Sequence, residues 1–425
     1  MTDRPLTKNI DPARGPLDLD GYVAAGGYEA AREMFRTMQP ADVVGVVQKA
    51  NLRGRGGAGF PAGTKWGLVK QGPGTSPIKY LVVNGDEMEP GTFKDRMLVE
   101  GDPHLLIEGV ICASYAIQAT TAYIFLRGEY VKGEALLKAA IAQAYAAGFC
   151  GKSCFGSGYA LDIILHTSGG RYICGEETAL INALEGRRAN PRAKPPFPAV
   201  SGLWGKPTIV NNIETICNVP GIVRLGAEWY LGLSRSTDGG GTKLYGASGR
   251  VKRPGTWELP LGVTVREVFE EHAGGMADGY ALKCFLPGGA STDFLMPEHL
   301  DLAFDYTTIG KAGSRMGTGQ LIAVDDKQDI VGVTHNLIAF FAQESCGWCT
   351  PCRDGLRRAE RILDGMLRNE GILEDVDELK RHAWLLRPGM TFCALAPGAA
   401  EPLQSAIKYF RPEFEAWAAR RTAGV

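Results

Sequence analysis

The 425-residue chain is predicted to fold as an α/β multidomain protein, and three observations predict it. Between Tyr80 and His166, short apolar runs alternate with helical stretches, as parallel strands joined by crossover helices require. Between Thr242 and Leu286, a hairpin pattern, a capped helix and a further strand follow one another as in a β-grasp module. From Lys327 onward the apolar spacing is helical throughout. These patterns divide the chain at 1–72 (helical segment and glycine-rich loop), 73–240 (parallel-sheet domain), 241–326 (β-grasp) and 327–425 (helical bundle).

Residues 28–50 read as helical, with Val43, Val44, Val46 and Val47 supplying the apolar positions. Tyr80–Asn84 is then a buried strand, 103–119 a helix, Thr121–Leu126 a strand, 129–147 an Ala-rich helix and Ala160–His166 a third strand. The prolines of Asn190–Pro198 hold an extended arm across this core. Asp238-Gly-Gly-Gly marks a break in composition. Thr242–Val251 and Gly255–Val263 form the hairpin, and Thr264-Val-Arg-Glu267 is a capping box for a helix ending at Gly274-Gly275. Tyr280–Leu286 is the strand after it, and helices are expected over 328–344, 353–369, 374–386 and 399–420.

Composition narrows the function. With 46 basic and 47 acidic residues the net charge is -1, which gives nucleic acid no electrostatic footprint. No apolar run reaches the ~18 residues of a membrane span, so any membrane attachment is expected to be indirect, through partners. The first twenty residues include Asp3, Asp11, Asp18 and Asp20, unlike a signal or transit peptide. Ten cysteines then read as reduced thiols and metal ligands in a cytoplasmic protein. The 56 glycines are an excess over the usual ~7%, and they concentrate in loops where backbone can approach a ligand.

Cys346, Cys349 and Cys352 recur every third residue, and Cys393 follows about forty residues later. A compact triplet plus one distant thiolate suits a cubane iron–sulfur cluster, whereas zinc more often takes two separated pairs. The triplet falls at a joint between two expected helices and Cys393 in the loop before the last, so a bundle presents the cluster from its loops.

Gly54-Arg55-Gly56-Gly57-Ala-Gly59 matches G-x-G-x-x-G, but a helix precedes it and the next acid, Asp86, comes about thirty positions later. The match is therefore not an ordinary dinucleotide turn. Its physical content remains: amide groups crowding an anion, with Arg55 and Lys65 adding positive charge. Two acidic clusters follow expected strand ends, Asn84-Gly-Asp86-Glu87-Met-Glu89 and Arg171-Tyr172-Ile-Cys174-Gly175-Glu176-Glu177, where open parallel sheets bind ligands. Taken alone, Glu176 and Glu177 read better as acids in the first turn of a helix at 177–185, and Asn211-Asn212-Ile-Glu214-Thr215 is equally consistent with a helix cap.

Gly54–Pro61, Asn84–Thr92, Gly170–Leu180 and Glu344–Arg353, in this order, resemble the NADH-binding flavoprotein subunit of respiratory complex I over about residues 25–415. The resemblance implies a Rossmann-like FMN domain, a ubiquitin-like β-grasp domain and a bundle holding a 4Fe–4S cluster through Cys346, Cys349, Cys352 and Cys393. It implies that Gly54, Arg55, Gly56, Lys65, Asn84, Asp86, Gly175, Glu176, Asn211, Asn212 and Thr215 line the FMN site. NADH would then lie against Gly57, Phe60, Glu89, Tyr172, Glu177, Lys194 and Phe197, with Phe60 and Phe197 flanking the adenine and Glu177 positioning the nicotinamide. The partners it implies are a thioredoxin-like 2Fe–2S subunit and the large iron–sulfur subunit of the peripheral arm, on the cytoplasmic side of the bacterial inner membrane. Leu68 departs from a position where the family often has an aromatic, and Ser168-Gly169-Gly170 from a loop that commonly reads Gly-Ala-Gly. The same motifs occur in diaphorase subunits of soluble NAD-linked hydrogenases and formate dehydrogenases, which is the competing expectation.

Overall fold

A computed structural model describes residues 3–420. Four helices open the chain, α1 (Leu19–Ala24), α2 (Glu29–Thr37), α3 (Pro40–Lys49) and α4 (Ala62–Gly67). The expected helix over 28–50 is therefore two, because the ring of Pro40 disfavours helical backbone at Gln39 while suiting the first turn of α3. The parallel sheet contains β1 (Tyr80–Gly85), β2 (Thr121–Leu126), β3 (Asp162–Thr167) and β4 (Thr208–Asn212) in the order β3-β2-β1-β4. It carries α5 (Lys94–Gly101), α6 (Pro103–Ile117), α7 (Val131–Ala146), α8 (Glu177–Leu184), α9 (Ile213–Cys217) and α10 (Val219–Gly232). β4 was hidden in the sequence because only three residues precede the Asn pair that reads as a cap. Both readings hold, since Asn212 ends the strand and its side chain accepts the Glu214 N–H at the start of α9.

Successive strand residues face opposite sides, and the sheet uses both. Leu81, Val83, Ala122, Ile124 and Ile209 join the N-terminal helices, α6 and α7 in one core. Val82, Phe125 and Val210 face α8 and a second core. The strand order reverses between β1 and β4, where Val83 pairs with Asn211 and Asn84 with Asn212. Ligands of open α/β sheets bind beyond the strand ends at such a switch point.

The β-grasp unit pairs β5 (Thr242–Gly249) with β6 (Gly255–Pro260) antiparallel, then β5 with β8 (Gln320–Asp325) parallel and β8 with β7 (Leu282–Leu286) antiparallel. Its expected helix begins at the Thr264–Glu267 capping box, where each partner accepts the other's backbone N–H, and widens to π geometry over Glu267–His272. α11 (Tyr306–Lys311) follows before β8. The C-terminal helices are α12 (Ile330–Glu344), α13 (Thr350–Leu367), α14 (Glu374–Leu385) and α15 (Leu395–Ala418). Their apolar faces share the second core with Val82, Phe125 and Val210 of the sheet and Cys284, Leu286 and Val324 of the β-grasp unit. The bundle is thus packed into the body of the molecule through a continuous interior.

Close helix packing sets the position of α9. At Gly109 in α6, an added Cβ would lie 2.3 Å from the carbonyl oxygen of Ile216. Gly109→Ala is therefore expected to destabilise the chain by about 1–3 kcal/mol, the usual range for overpacking, and to lower the midpoint of thermal unfolding. An unchanged midpoint would show that α9 shifts without penalty.

Candidate functional site

The glycine loop lies between α3 and α4, beside the switch point. Gly54 N–H donates to the Phe60 carbonyl over 2.9 Å, closing the loop, and Arg55 N–H donates to Thr215 Oγ1 over 2.8 Å, tying it to α9. A Cβ on Gly56 would stand 3.1 Å from Asn212 Cβ, and one on Gly59, at φ +66, 2.6 Å from the Tyr306 ring. The Arg55 side chain departs from the expected role. Its guanidinium is fully buried and donates to Tyr230, Gly240 O and Thr242 O at 3.2, 2.9 and 3.0 Å, so it turns away from the loop into the interior.

At the end of β1, Asn84 donates from its amide to the carbonyls of Cys174 and Gly175 at 3.2 and 3.5 Å, and accepts the Asp86 N–H at 3.0 Å. Asp86 is buried, and neither carboxylate oxygen has a well-formed hydrogen bond, although Ser168 and the Cys174 thiol stand beside it. Burial pushes its pKa up to about 7. Asn211 accepts from the Trp66 indole N–H at 2.8 Å. Asn212 is engaged within the protein, donating to Asp95 at 2.6 Å and accepting from Lys94 at 3.2 Å.

The second acidic cluster sits across from this strand end. Glu176 caps α8, accepting the N–H groups of Thr178 and Ala179 at 2.8 Å each. Glu177 pairs with Lys65 at 2.6 Å and Lys194 at 3.1 Å, and Lys194 also reaches Glu176 at 3.1 Å. Burial alone would raise the Glu177 pKa, but Lys65 and then Lys194 outweigh it and hold the carboxylate below its ordinary range. The proline-rich arm thereby delivers Lys194 to the acid pair and leaves the Phe197 ring 55% exposed; Phe60, on the glycine loop, is 52% exposed. Leu68 is likewise exposed. Glu89 belongs to a separate link. It accepts the Tyr172 hydroxyl at 2.7 Å and the Ser291 N–H at 2.6 Å, and burial raises its pKa.

The four cysteines line one cavity together with Ile173, Pro191, Trp348 and Leu395. Cys346 and Cys349 come from the α12–α13 connection and Cys393 from the loop before α15, while Cys352 lies inside the first turn of α13, which starts three residues earlier than the sequence suggests. Ser345 Oγ is 3.2 Å from Cys352 Sγ, and Phe392 N–H donates to Cys349 Sγ at 3.4 Å. Burial pushes the Cys352 thiol up to about 11 and Cys393 up to about 12, so a cation must replace the proton for these sulfurs to be thiolates. Four thiols lining one cavity, three of them from one short segment, suit a cubane iron–sulfur cluster.

These donors also fit an FMN. The Asp86 oxygens, without well-formed hydrogen bonds, offer polar groups at the switch point, Gly56 lets the glycine loop approach Asn212 there, and an added Cβ at Gly175 would meet only open space. Sequence reasoning missed the groups behind this surface. Lys94, Asp95, Glu214 and Lys243 are all buried. Glu344 accepts the Tyr172 N–H at 2.9 Å, joining the end of α12 to the acidic turn. Glu214 and Glu344 fall within motifs the sequence shows, but no spacing distinguishes Lys94, Asp95 or Lys243 from a surface charge.

Fold and site together define an iron–sulfur flavoprotein, a parallel-sheet flavin domain fused to a β-grasp unit and a cysteine-bearing bundle. The family described as Nuo51 FMN-binding domain matches residues 47–221, the SLBB domain 247–294, and the NADH-ubiquinone oxidoreductase-F iron-sulfur binding region 332–417. The chain is 56% identical over 412 residues to the NADH-quinone oxidoreductase F subunit of Escherichia coli (strain K12), spanning 97% of this chain and 92% of the relative. It is 48% identical over 390 residues to the corresponding protein of Mycobacterium bovis, spanning 91% and 87%. Among solved structures, an NAD+-reducing NiFe-hydrogenase in the H2-reduced state matches with TM-score 0.79 and 34% identity, over 91% of this chain and 66% of that one. The chain belongs to the family of NADH-quinone oxidoreductase F subunits.

Asp86 provides a test of the site's electrostatics without any cofactor. Its pKa is raised to about 7 in the fold from an ordinary 3.8. The folded state therefore binds this proton more tightly than the unfolded chain, and stability falls as pH rises through that window. In flavin-free protein, Asp86→Asn should raise the unfolding midpoint at about pH 8 by roughly 2 °C relative to its effect near pH 5. Equal effects at both pH values would mean that the Asp86 carboxylate is solvated.

Proposed function

We infer that this chain oxidises NADH as a subunit of an NADH:quinone oxidoreductase, with FMN at the switch point and a 4Fe–4S cluster on Cys346, Cys349, Cys352 and Cys393. One observation carries the reading. The turn Tyr172–Gly175 and the Glu176 that follows serve both sites, since Asn84 bonds the Cys174 and Gly175 carbonyls while Ile173 lines the cysteine cavity. When bound, FMN supplies the exchange of one hydride for single electrons and a 4Fe–4S cluster supplies a one-electron exit.

The chain's own residues bind and orient. The Gly56 and Gly57 amides and Lys65 face the flavin's phosphate and ribityl side, and Asn84, Asp86 and Asn211 its polar ring edge. Glu177, held ionised between Lys65 and Lys194, accepts hydrogen bonds from the nicotinamide side and needs no proton of its own. Phe60 and Phe197 present apolar faces to the adenine, and Glu89, fixed by Tyr172 and Ser291, closes the nucleotide side. Among the described residues no helix is long and apolar enough to cross a membrane. Attachment on the cytoplasmic face of the bacterial inner membrane would therefore come through the thioredoxin-like 2Fe–2S subunit and the large iron–sulfur subunit.

The hydrogenase-type reading draws on the solved structure at 34% identity, of which this chain spans 66%. The quinone-linked relative from Escherichia coli is matched at 56% identity over 92% of its length, and it favours the quinone-linked assignment.

Purified chain should carry flavin absorbance that NADH bleaches, together with iron and acid-labile sulfide; zinc in place of iron would sink the cluster assignment. Cys352→Ala is expected to leave bleaching by NADH intact while quinone reduction by the assembled complex drops to background. Sustained quinone reduction in that variant would overturn the exit. Glu177→Gln should raise the KM for NADH about tenfold, the effect of one charge-assisted hydrogen bond, and unchanged nucleotide kinetics would remove Glu177 from the site.

A further inference from the structure

Directly behind the glycine loop lies a group of charges with no access to water. Glu214, in α9 between Asn212 and Thr215, is completely buried. One of its oxygens accepts the Leu244 N–H at 2.8 Å, and the other faces two ammonium groups, Lys94 at 2.8 Å and Lys243 at 3.4 Å. Lys94 belongs to the flavin domain, through α5, and Lys243 to the β-grasp unit, through β5.

The two lysines are not equally satisfied. Lys94 has three acceptors for its three N–H groups, namely Asp95 at 2.8 Å, Glu214 at 2.8 Å and Asn212 at 3.2 Å. Lys243 has the single long contact to Glu214 and the face of Tyr245, 6.0 Å away. The nearby Arg55 guanidinium, also fully buried, has no well-formed hydrogen bond at Nε or Nη1, although the Tyr306 hydroxyl stands beside it. Lys94, Lys243 and Arg55 therefore share Glu214 and Asp95 in a dry interior, with buried Glu87 adding its field at Lys94, and a buried cation short of partners is strongly disfavoured. Of the two lysines Lys243 is the one left short, and the cluster lies against the loop whose backbone is bonded to Thr215 and packed on Asn212.

We propose that the Lys94–Glu214–Lys243 cluster is an electrostatic seat for the phosphate of FMN, with Lys243 the positioning residue that the β-grasp unit contributes. Lys243 has one long contact to share among three N–H groups, and a phosphate monoester on the glycine loop supplies the negative field that the ammonium lacks. Lys243 acts through the field and through Glu214 and need not touch the flavin. The inference rests on the reading of the Gly54–Gly57 loop as the FMN seat.

The groups facing Lys243 settle the sign of the accompanying proton change. They are Glu214 on α9, Lys94 and Asp95 on α5, Arg55 on the glycine loop and Tyr245 on its own strand. Burial pushes the Lys243 pKa down to about 7; Lys94 and Arg55 add to that repulsion, and Glu214 and Asp95 oppose it. At about pH 8, roughly one unit higher, the ammonium is mostly deprotonated until an anion arrives, so FMN binding takes up a proton.

The experiment is calorimetric titration of the full-length, flavin-stripped chain at that pH in buffers of differing ionisation enthalpy. FMN should bind with uptake of close to one proton, and riboflavin, which lacks the phosphate, with none. Lys243→Met should abolish the uptake and weaken FMN about tenfold, the equivalent of one pKa unit, while leaving riboflavin affinity unchanged. Lys243→Arg, always charged, should keep FMN affinity and lose the uptake, which also guards against a Met variant that misfolds. Uptake persisting in either variant, or equal uptake with riboflavin, overturns the seat while leaving FMN binding in place. A wild-type chain that binds no FMN removes the functional reading beneath it.

Discussion

A carboxylate withdrawn from water must be met by cations and hydrogen-bond donors, and much of this structure is arranged around meeting one. Glu214 is approached by Lys94 from the flavin domain and by both Lys243 and the Leu244 amide from the β-grasp unit. Burial would raise its pKa, yet Lys243, Lys94 and Arg55 together hold it below the ordinary carboxylate range, so it is ionised. Losing one partner would leave an uncompensated buried charge, which costs about 3–5 kcal/mol in comparable pairs. Two units that meet over such a group are not free to slide. Their joint then fixes α9, and α9 fixes the glycine loop through Thr215.

The second constraint is the sheet itself. A parallel strand buries both faces, and here each face is covered by a different part of the chain. The N-terminal helices with α6 and α7 take one, and α8 with the C-terminal bundle takes the other. Only the strand ends remain for ligands, and β1 and β4 end in Asn84, Asn211 and Asn212, side by side in register. Amides suit this position because they can donate and accept without bringing a further charge into a region already holding Asp86.

Legibility in the sequence followed periodicity and spacing. The alternation after Tyr80, the hairpin with its Thr264–Glu267 box and the cysteine triplet each carry a repeat that survives without coordinates, and they were readable. β4 was not, because a strand that ends in its neighbour's helix cap has no room for a pattern. Among site residues, Lys65 was expected at the FMN and Glu177 and Lys194 at the NADH, and both lysines are found paired with Glu177. Arg55 was expected to lend its charge to the loop, but its guanidinium turns into the domain joint. Glu214 was legible only as part of a helix cap, and Lys94 and Lys243 stayed invisible for a physical reason. A charge looks like a solvated one until its partners, here as far apart in the chain as Lys94 and Lys243, are brought together.

The sequence also suggested a bundle that holds its cysteines apart from the flavin, and the packing changes the consequence of that arrangement. Glu344, two residues before Cys346, accepts the Tyr172 N–H. The Tyr172 hydroxyl donates to Glu89, and Glu89 accepts the Ser291 N–H from the β-grasp unit. Three successive hydrogen bonds to carboxylates, each contributing about 1.5–3 kcal/mol, thus run from the cluster end of α12 through the nucleotide side to the third unit. The apolar core beneath them is continuous from Val82 to Leu356. A preorganised site needs its reacting groups held by packed, hydrogen-bonded supports rather than by linkers. In this chain, the support that places the cysteine cavity is the same one that places Tyr172 and Glu89, so the cavity and the proposed nucleotide side share one rigid frame.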